Sequence, residues 1–457
     1  MYDFRILLAV WTVFWAAQGN CADLYSSSLE QVEALANKNS PQLKATDSLA
    51  QAAKDQSKAS GSSLWPKVNL NAGYVHQSDV PGIEIAPGVT RELDIQNIGY
   101  VGLGLSYTLF NGFKDTSNSK SAKANAMAKQ LDMVSQTRQI KHSVRLAYFR
   151  AQLAAENIFS TLGSLKLSQA EYKDVSNRFR AGSATDLEKI TMEQEMLSAQ
   201  SKFQRAQSDF STAIRNLLEA TGDSQSIDLS HPLPKNIVDS IPKNIDEPTA
   251  IIELEDIEKT LATFSTKNLP AEISPSLPEL KSLEYSSESA NYLAEGYKST
   301  YWPSLSLGAQ ALRFYPHEFL PESLNVVYAM LSWNLFENGM GRHLASQQAS
   351  LANASEFQRQ QKIINLKSDF SKIKDSIKSL WSEEKIGRQS KQKAEQTASL
   401  VRKSYSGGRS RLLDVQTANQ RLLESQFAFS QVQHQLLIQY SEMDLLTWNE
   451  ETQKDLE

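Results

Sequence analysis

The stretch VGLGLSYTLFNG, residues 101–112, decides the fold of this chain. Apolar residues alternate along it with small or polar ones, which is the pattern of a β-strand with one apolar face. The stretch ends at Asn111-Gly112, and a helical pattern follows that contains no proline until Pro232. The same order returns at residues 327–339, where an alternating stretch leads into a second long helical pattern. The sequence therefore predicts, twice, a strand that runs directly into a very long helix.

Other landmarks repeat at a fixed distance along the chain. Residues 41–44 (PQLK) are echoed by residues 278–281 (PELK), and Trp65-Pro66 is echoed at the same offset by Trp302-Pro303. Landmarks beyond the predicted hairpins share a second, smaller offset, which joins Phe110 to Phe336 and Gly182 to Gly408. Offsets that stay constant over such spans indicate an internal duplication in which the second hairpin loop is shorter.

These patterns divide the 457 residues into five segments. Half of the chain's fourteen prolines fall between Pro232 and Pro278, which indicates a linker or a small irregular subdomain between the repeats. The predicted segments are a signal peptide at 1–22; a first repeat at 23–222 with a β-hairpin at 66–110 and a helical tip at 181–183; a Pro-rich equatorial linker at 223–275; a second repeat at 276–448 with a hairpin at 303–336 and a tip at 407–409; and a short acidic tail at 449–457.

The first 22 residues read as a secretory signal. Arg5 precedes an apolar run from Ile6 to Ala17, and small residues lead to a cleavage site after Ala22. Cleavage there would remove Cys21, the only cysteine, and leave a mature chain without disulfide or thiol chemistry. Gln18-Gly19-Asn20 fits poorly as the segment before a lipid-anchor cysteine.

Composition limits the ways in which this chain could meet a membrane or a nucleic acid. The formal net charge of −5 gives no nucleic-acid footprint. After residue 22 no stretch comes near the ~20 apolar residues of a membrane-spanning helix. Any membrane crossing would therefore use the strands. Four strands cannot close a barrel, and lipid does not tolerate open strand edges, so two, three or four copies would have to combine. The alternative is an amphipathic sheet on a soluble core.

The twofold order of Trp-Pro, alternating strand, Leu109-Phe110-Asn111-Gly112, long helix and tip glycine resembles the TolC family of outer-membrane efflux and secretion channels. The resemblance implies an α+β fold: an internally duplicated, long α-helical coiled-coil barrel, or tunnel, with four antiparallel β-strands per chain in a trimeric 12-stranded transmembrane β-barrel. It also implies a homotrimer in the outer-membrane lipid of a Gram-negative bacterium, with a periplasmic tunnel. The implied partners are a periplasmic adaptor (membrane fusion) protein and an inner-membrane transporter, either ABC-type or proton-driven.

The two tips are the most informative candidate sites. The resemblance implies that Ala181, Gly182, Ser183, Gly407 and Gly408 meet the adaptor, although glycine at a helix end also reverses a chain without any partner. It implies as well a periplasmic gate at the residues around them, for which the candidates are Glu188, Asp414, Arg409, Arg411 and Tyr405.

Two alternatives to these gate roles stay open. An acid in the first turn of a helix stabilises that helix through its dipole, and a tyrosine at a turn can simply pack. This chain also has Thr417 where some family members carry a second acid, and Ser410 at the position of the family's gate arginine.

The strand–helix junctions are expected at Phe110, Gly112, Phe336 and Gly339.

No catalytic, cofactor or metal site is expected. The histidines lack metal-ligand spacing, no glycine-rich phosphate loop follows a strand, and no serine lies in a nucleophile elbow. The sequence thus predicts an export channel that performs no chemistry and passes proteins by type I secretion or small molecules by efflux. The alternative is a secreted or periplasmic coiled-coil structural protein without a pore.

Overall fold

The computed structural model describes residues 28–78, 82–92, 97–222, 232–235, 250–266, 270, 272–315 and 322–447. The predicted signal peptide and acidic tail lie outside these ranges. The chain divides into two compact units. Unit 1 comprises residues 1–45, 134–277 and 364–457, and unit 2 comprises residues 46–133 and 278–363.

Two very long helices dominate the described residues. The helices are α1 (Leu29–Asn39), α2 (Pro41–Ser62), α3 (Lys114–Arg180), α4 (Asp186–Thr221), α5 (Ile257–Ser265), α6 (Pro278–Tyr297), α7 (Met340–Ser406) and α8 (Leu412–Leu446). The strands are β1 (Lys67–His76), β2 (Gly82–Ala86), β3 (Val89–Glu92), β4 (Asn97–Asn111), β5 (Pro232–Pro234), β6 (Ala250–Ile252), β7 (Ser304–Tyr315) and β8 (Ser323–Ser332). Among the described residues, no helix is both long enough and apolar enough to cross a membrane.

Unit 2 contains a four-stranded antiparallel sheet in the order β1-β4-β7-β8. The register places Leu70 beside Leu103 and Leu103 beside Ala311, so the apolar residues of neighbouring strands share one face. Further along, Leu105 lies beside Ala309, which lies beside Val327. The alternation in the sequence therefore becomes a single apolar face across all four strands.

The structure differs from the predicted hairpins at two places. Alternation predicts a strand that continues to Leu335, but β8 ends at Ser332. The chain leaves the sheet there, and Asn338 and Gly339 take positive φ angles of 51° and 79° immediately before α7. Between β1 and β4, inside the hairpin predicted at 66–110, lies a small ladder of β2 and β3, in which the Gly88 N–H donates to the Glu84 carboxylate at 2.8 Å.

Unit 1 has an aromatic and aliphatic core. Tyr148 and Phe149 of α3 and Phe203 and Phe210 of α4 are fully buried. Each such side chain contributes about 1.5–3 kcal/mol by leaving water. The Phe149 ring also meets the Phe264 ring of α5 edge to face, with centroids 5.8 Å apart. Helix α5 lies in the Pro-rich segment, so part of that segment packs into the core of unit 1.

An arginine closes the end of α8. The Arg138 guanidinium donates to the carbonyl oxygens of Asp444, Leu445 and Thr447 at 3.0, 2.6 and 2.8 Å. These carbonyls have no partner within the helix, and a cation also complements the negative end of the helix dipole. Two turns further along α3, Arg145 forms ion pairs with Glu33 at 2.5 Å and with Asp444 at 2.7 Å. These contacts fasten α1 and the end of α8 to α3.

We expect Gly112→Ala to destabilise the protein by about 1–3 kcal/mol, because an L-residue in the left-handed region costs about 1–2 kcal/mol before any clash. Gly112 has a φ of 64°, and an added Cβ would lie 2.8 Å from the Ser299 carbonyl oxygen. Gly163→Ala is the control, since Gly163 is helical and its Cβ would meet nothing within 4 Å. Thermal unfolding followed by circular dichroism should show a lower midpoint for Gly112→Ala only. Equal midpoints would contradict this account of the junction.

Candidate functional site

The first tip, residues 179–183, reverses the chain between α3 and α4. Gly182 has a φ of 74°, and its N–H donates to the Phe179 carbonyl at 3.0 Å. The Ser183 N–H reaches back to the Arg178 carbonyl at 2.8 Å. This pair of hydrogen bonds is the Schellman motif, which satisfies carbonyls that a helix end leaves free. The tip therefore closes α3 with its own backbone.

The second tip, residues 405–409, repeats that geometry. Gly408 has a φ of 73°, and its N–H donates to the Tyr405 carbonyl at 2.9 Å. The Arg409 N–H donates to the Ser404 carbonyl at 2.8 Å. Every donor and acceptor follows its counterpart in the first tip at the offset that joins Gly182 to Gly408. The two tips therefore share the same backbone hydrogen bonds.

The two candidate gate acids cap the helices that follow the tips. The Thr185 N–H donates to the Glu188 carboxylate at 2.8 Å, and the Glu188 N–H donates to the Thr185 hydroxyl at 3.2 Å. In the second repeat the Arg411 N–H donates to the Asp414 carboxylate at 2.9 Å. A carboxylate at this position satisfies a backbone donor and lies at the positive end of the helix dipole. Each acid therefore has a structural role within one chain.

Among the described residues, the side chains of the two candidate arginines are not paired with these acids. Arg409 and Arg411 are both exposed. Within the part of the chain that the structure describes, neither side chain forms an ion pair with Glu188 or Asp414. The structure brings each acid to its own helix start and leaves the two arginine side chains open to other contacts.

Tyr405 joins the two tips within one chain. The Arg178 guanidinium of α3 lies over its ring, 5.1 Å from the centroid, and also pairs with Asp174 at 2.8 Å. Burial raises the pKa of Tyr405, and the charge of Arg178 opposes that rise. Such a cation–π contact contributes about 0.5–1 kcal/mol at an exposed site. Tyr405 therefore does more than pack its own turn.

A second contact between the repeats was not foreseen from the sequence. Asn419 of α8 donates its side-chain N–H to both carboxyl oxygens of Glu171 of α3, at 3.1 and 3.2 Å. Glu171 lies eleven residues before Gly182, and Asn419 lies eleven residues after Gly408. These equal separations from the tip glycines could identify the pair only once the packing of α3 against α8 is known.

Helices α7 and α8 enclose an open groove of about 690 Å³ near the second tip. Its polar lining includes the candidate Asp414 and two cationic side chains, Lys393 and Arg421, and Ala394 and Ala418 also line it. Among the described residues, no group of three or more His, Cys, Asp or Glu is arranged to hold a metal ion.

The strand–helix junctions are built alike in both repeats. Gly112 and Phe113 have φ angles of 64° and 67°, and Asn338 and Gly339 occupy the corresponding positions in the second repeat. Phe110 packs edge to face on Phe113 with centroids 5.3 Å apart, whereas Phe336 is 85% exposed. The four predicted junction residues therefore lie at or beside the two turns.

The sheet presents its apolar side to the surroundings of the chain. Val68 of β1, Leu103 of β4 and Val327 of β8 are 72%, 58% and 84% exposed. An apolar area of this extent on a single chain marks a surface that meets lipid or another protein. Beside the tips, this face is the second candidate functional feature of the described chain.

Known proteins share this sequence pattern and fold. The family model described as outer membrane efflux protein matches residues 33–223 and 269–447. No curated protein matches the chain. The outer membrane protein VceC of Vibrio cholerae superposes with a TM-score of 0.73 at 16% identity, over 92% of this chain and 95% of VceC.

Two further solved structures resemble the chain. The CmeC outer membrane channel of Campylobacter jejuni has a TM-score of 0.70 at 18% identity, over 92% of this chain and 85% of CmeC. The open state of the MtrE outer membrane channel of Neisseria gonorrhoeae has a TM-score of 0.67 at 16% identity, over 92% and 88%. At these identities the likeness concerns the fold.

We expect Glu188→Ala to loosen the start of α4, because losing an N-terminal cap costs about 1 kcal/mol, or roughly fivefold in a local opening constant. Glu188→Gln keeps a side-chain acceptor for the Thr185 N–H and is the matched control. Hydrogen–deuterium exchange of the amides at residues 185–189 should be faster in the alanine variant only. Equal exchange in both variants would show that the cap is not what holds this turn.

Proposed function

The chain belongs to the outer membrane efflux protein family, and from that premise we propose that three copies form one exit duct. As a member of the family it is an outer-membrane channel protein with a periplasmic helical tunnel, and it is not an enzyme. In the proposed duct, each copy contributes β1, β4, β7 and β8 to a twelve-stranded barrel in the outer membrane. The long helices continue the duct into the periplasm.

The open sheet is the observation that carries this proposal. Strands β1 and β8 each pair with only one strand of the described chain, so each leaves one edge of the sheet free. Unpaired backbone groups cost several kcal/mol each in lipid, so strand edges there must be paired. Pairing β8 of one copy with β1 of the next removes every edge. The exposed apolar face would then meet lipid, and the face with Gly104, Ser106 and Thr108 would line the lumen.

The number of copies comes from the family resemblance. Two, three or four copies would all give a closed barrel with an even number of strands, and the strand pattern alone favours none of them. Members of the TolC family use three, and the chain keeps that family's order of elements in both repeats. A homotrimer is therefore the assembly that we propose.

The tips are the proposed periplasmic end of the duct. Both tip glycines are exposed, and a Cβ on Gly182 or Gly408 would meet nothing within 4 Å, so the tips have room for a partner. We propose that a periplasmic adaptor contacts Ala181, Gly182, Ser183, Gly407 and Gly408, and that an inner-membrane transporter drives export. The description of the family favours efflux over protein secretion as the type of transport.

The gate assignment gives the tip acids a second role. Three copies would place rings of Glu188 and Asp414 carboxylates close to the duct's narrow end. Backbone caps hold each carboxylate at the start of its helix, which fixes where the charge is presented. Arg409, Arg411 and Tyr405 complete the proposed gate as groups that contact neighbouring helices in the closed state.

We expect Val327→Arg to prevent stable assembly in the outer membrane. Val327 is 84% exposed on the apolar face, and arginine on the lipid face of a barrel costs about 2–4 kcal/mol per copy at the bilayer midplane. Thr108→Arg, on the opposite face of the sheet, is the control. The readout is the heat-modifiable oligomer on gels of outer-membrane fractions. Loss in both variants, or in neither, would contradict the proposed orientation of the sheet.

We expect the double variant Glu188→Gln with Asp414→Asn to open the duct. The double variant keeps the cap acceptors but removes the two charges. Because a hydrogen bond to a charged group stabilises a contact more than one to a neutral group, the closed state should be weakened and open times should lengthen on the order of tenfold. The measurement is single-channel recording of purified protein in planar bilayers. Asp186→Asn, which removes an exposed acid one residue after Thr185, should behave like the wild type. Long openings in the wild type as well would remove the gate role of the two acids.

A further inference from the structure

The contact between Glu171 and Asn419 is incomplete in its hydrogen bonding. The Asn419 amide N–H serves both carboxyl oxygens, while the Asn419 amide oxygen is buried and has no donor among the described residues. An ionised carboxylate only accepts hydrogen bonds, so it cannot satisfy that oxygen. Turning the amide over does not remove the requirement, because an amide oxygen facing the carboxyl would still need a proton between them.

A protonated Glu171 would complete the pair. A carboxylic acid carries one O–H donor and keeps one carbonyl acceptor. The acid O–H could then donate to the Asn419 amide oxygen while the amide N–H donates to the acid carbonyl. This arrangement has two hydrogen bonds in opposite directions and no unsatisfied atom. A buried polar atom without a partner costs about 1–3 kcal/mol, so the protonated pair should hold α3 and α8 together more tightly.

The electrostatic surroundings also favour the proton. Burial raises the pKa of Glu171, and the charge of Glu195 from α4 adds to the rise, while the Asn419 hydrogen bond and the charge of Arg402 from α7 oppose it. Tyr405 of α7 also lies within the field of Glu171. The folded chain therefore binds this proton more tightly than the unfolded chain. The stabilisation of the folded chain by the protonated Glu171 is present at acidic pH and is lost as the pH rises through the raised pKa of Glu171.

We propose that Glu171 and Asn419 form a proton-dependent latch, which tightens the contact between α3 and α8 on acidification and keeps the tips closed. Both residues lie about 16 Å along their helices from the tip glycines, at 1.5 Å per residue. They also connect a helix of the first repeat with one of the second. The effect on channel opening rests on the proposed function, but the latch itself lies within one chain.

Hydrogen–deuterium exchange of the purified protein tests the latch directly. Amides of residues 167–175 and 415–423, corrected for intrinsic exchange, should open less often at acidic pH than at about pH 8, by up to about fivefold, as one additional hydrogen bond would give. Glu171→Gln supplies a permanent N–H and should stay slow at both pH values. Asn419→Leu should be fast at both. Glu195→Gln removes a charge that favours the proton on Glu171, so it should move the response to lower pH without abolishing it.

Two results would overturn the latch: a pH response in Glu171→Gln equal to that of the wild type, or protection in Asn419→Leu that still rises on acidification. Channel recording of the same variants separates the latch from the duct. Fewer openings at acidic pH in the wild type, and no pH dependence in Glu171→Gln, would support both. An intact exchange pattern without any conductance would reject the duct and keep the latch. Conductance in the wild type, together with exchange in Glu171→Gln that depends on pH as in the wild type, would keep the duct and reject the latch.

Discussion

The need to pair every backbone donor and acceptor is the constraint on which this structure depends. Along the long helices the constraint is met within each helix. Backbone groups lack helical partners only at the helix ends, where the tip backbones, the capping acids and Arg138 supply them. In the sheet the constraint is met only between strands, and β1 and β8 remain edges. Backbone hydrogen bonding is thus satisfied in the helices but not at the two edges of the sheet, which is why the proposed assembly is formed through strands.

Duplication places the same local solution at two positions in the molecule. The tip hydrogen bonds, the positive φ pairs at the junctions and the capping acids all recur at one offset, that of Gly182 and Gly408. The side chains around them differ. Thr185 caps with a hydroxyl where Arg411 has no such group, and among the described residues Phe336 has no ring contact like the one that Phe110 makes. Backbone geometry is therefore shared by the repeats, and the side-chain contacts specific to each repeat can serve different purposes.

Local rules predicted much of this fold, and long-range register accounts for most of the rest. Alternation located β4, and glycine with the first-turn acids located the tips, because these signals act over a few residues. The end of β8 at Ser332 was not predicted, because Trp333 and Leu335 continue the alternation after the chain has left the sheet. The pairing of Glu171 with Asn419 depends on how α3 and α8 align across a sequence separation of 248, which no local pattern encodes. Gate and partner roles depend on neighbouring copies and came from family resemblance.

The central pairing of β4 with β7 also sets an order of events during biogenesis. Gly104 pairs with Gln310, so this ladder closes a loop of about two hundred residues, and such closures are slow because chain entropy is lost before any contact forms. The tips, in contrast, close within six residues. A chain that enters the periplasm from its N-terminus would form its first helical reversal early. Its β1–β4 hairpin would wait, with the β4 edge unpaired, until β7 at the start of the second repeat had emerged, and an unpaired strand edge is prone to aggregate during that interval.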